Sequence, residues 1–132
     1  MRLFLFDIDG TLVSVRGAGR TAFALALQEI YGTAGTIERY DFRGRTDLRV
    51  VHDLMTEAGL DPGQIRARVD DFFQVYAREL DRIVGDGSRV RVLPGVADVV
   101  RRLGARSDAV VGLLTGNVEA GARIKLEPTG LW

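Results

Sequence analysis

The sequence has no cysteine, one histidine, one tryptophan and three prolines among 132 residues. Without cysteine, disulfides, thiol catalysis and cysteine-ligated zinc are excluded. No apolar run approaches the ~20 residues that span a bilayer. The apolar start Met1-Arg2-Leu3-Phe4-Leu5-Phe6 runs straight into acidic residues, with no signal-type cleavage region. An excess of either charge is also lacking, since Lys+Arg and Asp+Glu are both 18. Nucleic-acid and membrane-surface partners call for a basic face, so neither is expected. Lysine itself is nearly absent: of the 18 basic residues, all but Lys125 are arginine. That raises the question of why one ammonium is kept.

What is present is the make-up of a soluble globular protein, 46% apolar and 27% charged. The length suits one domain, or a small core with an inserted lobe, and a cytoplasmic setting is the simplest expectation. Residues 2–6 are apolar on both faces after Arg2, as in a parallel strand covered on two sides. A second such run, Ala109-Val110-Val111-Gly112-Leu113-Leu114, ends in Thr115-Gly116-Asn117. Between them the pattern is helical. Phe23, Leu27 and Ile30 share one face; Leu48, Val51, Leu54, Met55 and Ala58 form a second stripe that Gly59 stops. Asp61-Pro62-Gly63-Gln64 opens the next helix, with an Asp cap, Pro at the first position and Gln three after the cap. That helix runs to Gly85, and a short one follows Leu93-Pro94-Gly95 and ends at Gly104. The expected fold class is α/β, with a Rossmann-like core formed by residues 1–14 and 91–132. Residues 15–90 form an all-helical insertion placed to act as a lid over the first strand's carboxyl end.

The chemistry concentrates in Asp7-Ile8-Asp9-Gly10-Thr11. Residues i and i+2 of an extended chain point the same way, so Asp7 and Asp9 converge on one locus. Two close carboxylates repel unless a cation joins them or a proton is shared, and hard oxygen ligands favour Mg²⁺. A carboxylate can attack phosphorus, and a second can move the proton. Gly10 allows a sharp turn, and the Thr11 hydroxyl is placed to brace it. Asp-x-Asp-Gly alone is equally a polar turn after a strand; the apolar strand before it and the second matching segment decide against that.

Phe6-Asp7-Ile8-Asp9-Gly10-Thr11-Leu12 resembles, at every position, the first motif of the haloacid-dehalogenase-like phosphatase superfamily. The resemblance implies that Asp7 is the nucleophile and a Mg²⁺ ligand. It makes Asp9 the general acid/base, with its main-chain carbonyl also on the metal. Keeping Asp9 points to phosphoryl transfer over dehalogenation. Leu113-Leu114-Thr115-Gly116-Asn117 resembles the second motif: Thr115 would bind a phosphate oxygen through its hydroxyl, with backbone N–H groups of Gly116 and Asn117. Taken alone, the same residues are a helix start capped by Asn117.

The superfamily also requires a basic residue to neutralise the nucleophile and the phosphoryl group, and Lys125 is the only lysine. It lies ~12 Å along a helix from Asn117, with Gly121 and Ala122 leaving a groove for its stem. The competing reading is a cation at a helix C-terminus. Tyr40-Asp41-Phe42-Arg43-Gly44-Arg45-Thr46-Asp47 resembles the helical-cap segment of phosphoglycolate-phosphatase-like and β-phosphoglucomutase-like members. Arg43 or Arg45 would then bind an anionic substrate end; equally, Thr46 or Asp47 caps a helix and both arginines are solvated. Gly17-Ala18-Gly19 supplies hinge freedom for lid closure, and His52 is assigned no role. The resemblance implies a Mg²⁺-dependent phosphatase of small phosphorylated metabolites; a phosphomutase and a non-catalytic phosphate-binding or interaction module are the alternatives. The oligomeric state is not legible. An acidic fourth motif is not found, so the chain is expected to be C-terminally truncated, with little or no activity of its own and a tendency to aggregate or associate. A two-stranded sheet cannot be covered as residues 2–6 and 109–114 demand, so an apolar flank is expected to be exposed.

Overall fold

A computed structural model describes residues 1–132. Five helices and four strands run in the order β1 (Arg2–Phe6), β2 (Val13–Ser14), α1 (Ala18–Tyr31), α2 (Asp47–Glu57), α3 (Pro62–Val84), β3 (Arg91–Val92), α4 (Val96–Gly104), β4 (Ala109–Leu113) and α5 (Glu119–Leu126). Single 3₁₀ turns lie at Ile37–Arg39 and Glu127–Thr129. The class is α/β, with the two expected strands paired in parallel: Leu3 stands opposite Val110 and Phe6 opposite Leu113. The second pair, β2 with β3, is antiparallel and was not visible in the sequence, because two-residue strands carry no periodicity.

Helix starts follow their cap chemistry. The Asp61 side chain accepts from Gln64 N while the Gln64 side-chain oxygen accepts from Asp61 N, both at 2.9 Å. This capping box fixes where α3 begins. Thr46, not Asp47, caps α2 by accepting from Arg49 N. Glycines with positive φ end α1 at Gly32 and border α3 at Gly85. Ala18 and Gly19 are the first residues of α1 rather than a free hinge, since the helix ladder fixes their dihedrals.

The core is centred on the helices. Phe23 of α1 packs edge-to-face on Phe72 and Tyr76 of α3, with ring centroids 4.8 and 5.2 Å apart. Ile8, Leu12 and Val13 from the turn after β1, and Ala122 and Leu126 of α5, join the same buried cluster. The parallel sheet, by contrast, has one open face. Leu3 is 64% exposed and Val110 47%, so the expectation of strands covered on both sides fails. Phe6, Val111 and Leu113 line a groove with Val100, Leu131 and Trp132 on the other face, whereas nothing packs over Leu3 and Leu5. The exposed apolar flank anticipated for so small a sheet is therefore real.

These positions predict opposite responses in a thermal melt. Phe23→Ala should lose ~3–5 kcal/mol of stability, while Leu3→Ser should change it by no more than ~0.5 kcal/mol. A large loss on Leu3→Ser would mean that this strand face is covered.

Candidate active site

Where β1 ends, the chain folds around one carbonyl. The amides of Thr11, Leu12 and Val13 all donate to the Ile8 oxygen, at 3.2, 2.9 and 3.1 Å. Gly10 makes the turn at φ 77°, a conformation other residues resist. The backbone braces this turn, and the Thr11 hydroxyl makes no bond. Ile8 is fully buried, while its neighbours Asp7 and Asp9 both face one cleft. The alternation expected from an extended chain is thus realised.

The cleft has a volume of about 790 Å³. On one side it is walled by Asp7, Asp9 and the Thr115-Gly116-Asn117 loop after β4, and on the other by residues 42–47 from the segment before α2. Lys125 closes its floor. This side chain is only 4% exposed, so its charge needs partners. Its three N–H donors meet three oxygens: Asp9 Oδ1 at 2.9 Å, Asp9 Oδ2 at 2.8 Å and Asn117 Oδ1 at 2.7 Å. The lysine is therefore built into the cleft and is not a solvated helix end. Gly121 and Ala122 are buried on the same helix, but the space beside Gly121 is taken by Tyr76 and Asn117, and it is Gly19 of α1 that the end of the lysine approaches. The ammonium contacts Asp9; no hydrogen bond joins it to Asp7.

Asn117 is a connector. Its side-chain amide donates to Asp9 Oδ2 at 2.9 Å and to Thr115 Oγ1 at 2.7 Å, and its backbone N–H also turns back to Thr115 Oγ1 at 3.1 Å. This N–H is thus engaged rather than free for a phosphate. The Asn117 side chain does not cap α5, whose N-cap is Val118. Because the Thr115 oxygen accepts twice, its own proton is left to donate elsewhere. The Gly116 amide makes no bond within the protein.

Sequence reasoning missed Asp47 as a part of this site. Its backbone N–H donates to Gly116 O at 2.8 Å, and its carboxylate accepts from Val118 N at 2.8 Å. The two segments meet so closely that a Cβ on Gly116 would lie 2.2 Å from Arg45 O. Asp47 is 9% exposed. Burial pushes its carboxyl above the usual range, as does the nearby Asp9 charge, while the Val118 N–H and the Lys125 charge pull it down. Tyr76, which also lines the cleft, has its phenol raised by burial first and then by Asp47 and Asp9. No sequence pattern marks either residue, since both act across long stretches of chain.

Arg43 and Arg45 line the cleft, yet each already has an acid. Arg43 grips Asp41 through two bonds of 2.9 Å and its side chain is 91% exposed. That grip holds the Asp41 carboxyl down at about 2. Arg45 pairs with Asp53 at 3.3 Å and lies over the Tyr40 ring. Burial and the Asp53 hydrogen bond push the Tyr40 phenol up to about 12. His52 is exposed, with only Thr56 beside it at 3.4 Å.

A family model described as haloacid dehalogenase-like hydrolase matches residues 1–131. The chain belongs to this family. No curated protein matches it. As a haloacid dehalogenase-like hydrolase it carries an α/β core, and two carboxylates at the end of β1, Asp7 and Asp9, face its cleft. None of its helices is long and apolar enough to cross a membrane. No group of three or more His, Cys, Asp or Glu converges as a ready-made metal cage. The donor chemistry nonetheless fits Mg²⁺, which is commonly held by one or two carboxylates, with waters and substrate phosphate completing its shell. Asp7 keeps both carboxylate oxygens free of protein hydrogen bonds, and no turn or loop bond is made to the Asp9 main-chain oxygen.

Two substitutions separate the hydrogen bond of Asp47 from its charge. Asp47→Ala should cost ~1–3 kcal/mol by orphaning the Val118 N–H. Asp47→Asn keeps an acceptor and removes a charge that burial disfavours. Because the folded-state pKa is raised, the contribution of Asp47 to stability is complete below the ordinary carboxyl value and is lost as pH rises through the folded-state value. Urea melts from acid to neutral pH should show wild type losing stability relative to Asp47→Asn. The opposite trend would mean that Lys125 dominates.

Proposed function

We propose that this hydrolase is a phosphatase of small phosphorylated metabolites, with Asp7 as the nucleophile on phosphorus. The supporting observation is the division of labour between two carboxylates only two residues apart. Asp7 has no hydrogen-bond partner, while Lys125 and Asn117 hold both oxygens of Asp9. An unencumbered carboxylate suits attack on phosphorus, and a fixed one suits proton transfer.

In the first half-reaction an Asp7 oxygen forms a bond to phosphorus as the ester P–O bond breaks, and Asp9 gives its proton to the leaving alkoxide. In the second, Asp9 takes a proton from water, whose oxygen attacks phosphorus and releases inorganic phosphate and free Asp7. The Thr115 hydroxyl and the Gly116 N–H donate to phosphoryl oxygens. Lys125 offers its charge to the same oxygens, in exchange for part of its grip on Asp9. Mg²⁺ would be held by the Asp7 carboxylate and the Asp9 main-chain oxygen, and would neutralise phosphate charge in a site that carboxylates alone repel. Residues 15–90 serve as a lid, and residues 1–14 and 91–132 as the core beneath it. A cleft of about 790 Å³ suits a metabolite larger than phosphate alone.

Hydrolysis of p-nitrophenyl phosphate by the full chain with Mg²⁺ tests this, and turnover would also overturn the expectation that this chain has little or no activity of its own. Asp7→Asn should abolish turnover, and Asp9→Asn should lower kcat by ~10²–10⁴-fold. Chelation of the metal should also abolish activity. Wild-type turnover by Asp7→Asn would sink the proposal.

A further inference from the structure

The turn between β2 and α1 contains an oddity. Arg16 has φ 52° and Gly17 φ 82°, and the Ala18 amide donates to Val15 O across them at 3.1 Å. Two successive positive φ values inside a hydrogen-bonded four-residue turn are the type I′ arrangement, whose central positions are dominated by Gly, Asn and Asp. Gly17 meets that demand. Arg16 does not, and it is the only non-glycine residue of the chain with positive φ. Backbone strain of this kind persists where something else holds it, and it gathers at ligand clamps and active sites.

Nothing within the protein accounts for the arginine. Its side chain makes no hydrogen bond and no ion pair, and asparagine or glycine would serve the turn with less strain. Its position supplies the missing reason, for Arg16 lines the same cleft as Asp7, Asp9 and Thr115. The other cations of that cleft are engaged. Lys125 has Asp9, Arg43 has Asp41 and Arg45 has Asp53. Arg20 donates to the carbonyls of Ile37 and Tyr40 and lies over the Phe42 ring at 4.7 Å. Among the cationic residues that line the cleft, Arg16 alone has no acid, carbonyl or ring partner.

We infer that Arg16 is the specificity-determining residue of this cleft, binding a second anionic group at the far end of the phosphorylated substrate. The guanidinium fork matches a group that presents two oxygens in a plane, such as a carboxylate. The substrate class is then a phosphate ester of a small acid. Arg16, rather than Arg43 or Arg45, then holds the anionic substrate end, because those two are neutralised from within. This inference rests on the cleft being the phosphoryl-transfer site proposed above.

The test uses the full chain with Mg²⁺ and measures binding by calorimetry, so that it does not depend on turnover. The ligands are phosphonocarboxylates of increasing length, from phosphonoacetate to phosphonohexanoate, each against the alkylphosphonate of equal length. Wild type should prefer the carboxylate at one length at least. Arg16→Gly should melt no lower than wild type, because it relieves the turn, yet should lose that preference by at least ~10-fold, the order of one charge-assisted hydrogen bond. Arg16→Lys should restore part of it. Equal or absent binding of the paired ligands by wild type overturns the inference, as does a preference that survives Arg16→Gly. A preference lost in Arg16→Gly, in a chain that hydrolyses no phosphate ester, would uphold Arg16 and refute the phosphatase proposal alone.

Discussion

The site is organised around one buried ammonium. Lys125 sits 116 residues along the chain from Asp9, yet its Nζ lies within 2.9 Å of both Asp9 oxygens. A charge so enclosed is tolerable only when each donor has an acceptor. Asp9 and Asn117 provide them, so the end of β1, the loop after β4 and helix α5 are drawn to one point. This also explains the lone lysine of an arginine-rich chain. A compact group with three donors fits between a carboxylate and an amide where a planar guanidinium fork would not. The ion pair fixes Asp9 and, by engaging it, distinguishes it chemically from Asp7.

Around this centre the rest of the cleft is assembled by close backbone approach. Gly116 leaves no room for a side chain beneath Arg45 and Thr46, and Asp47 bonds to both sides of the loop that carries Thr115. The helical segment therefore builds part of the cleft wall, against the loop after β4. Its own core, the Phe23–Phe72–Tyr76 cluster, reaches the cleft through Phe23 and Tyr76. Stability and site geometry share these residues. The open face of the parallel sheet contributes to neither.

Much of this was legible in the sequence because it is local. The capping box at Asp61 and Gln64, the stripe of α1 and the alternation of Asp7, Ile8 and Asp9 follow from spacing alone; in α2 the same spacing picks Leu48, which is 54% exposed, and passes over the buried Val50. Family membership followed from the residues around Asp7. What escaped depends on where distant segments meet. Strand β1, apolar on both sides, reads as fully covered, although only a partner element can cover it. Thr46 and Asp47 read equally as the helix cap; Thr46 takes that role and leaves Asp47 to reach across to Val118. Arg43 and Arg45 read as open anion ligands until Asp41 and Asp53 are seen to pair with them. Arg16 gives no sign at all, because a backbone dihedral is not written in residue type.

Phosphoryl transfer to Asp7 is the step on which the proposed mechanism turns. Its most direct test is an acid-quenched single turnover with excess enzyme, followed by trypsin digestion and mass spectrometry under conditions that preserve acyl phosphates. Cleavage after Arg2 and Arg16 isolates Asp7 and Asp9 on one peptide, residues 3–16, and fragmentation separates the two aspartates. The account predicts a transient phosphoryl mass increment on Asp7, which decays as phosphate appears. The increment on Asp9 or on any other peptide, or phosphate release with no labelled intermediate at any time, would contradict it.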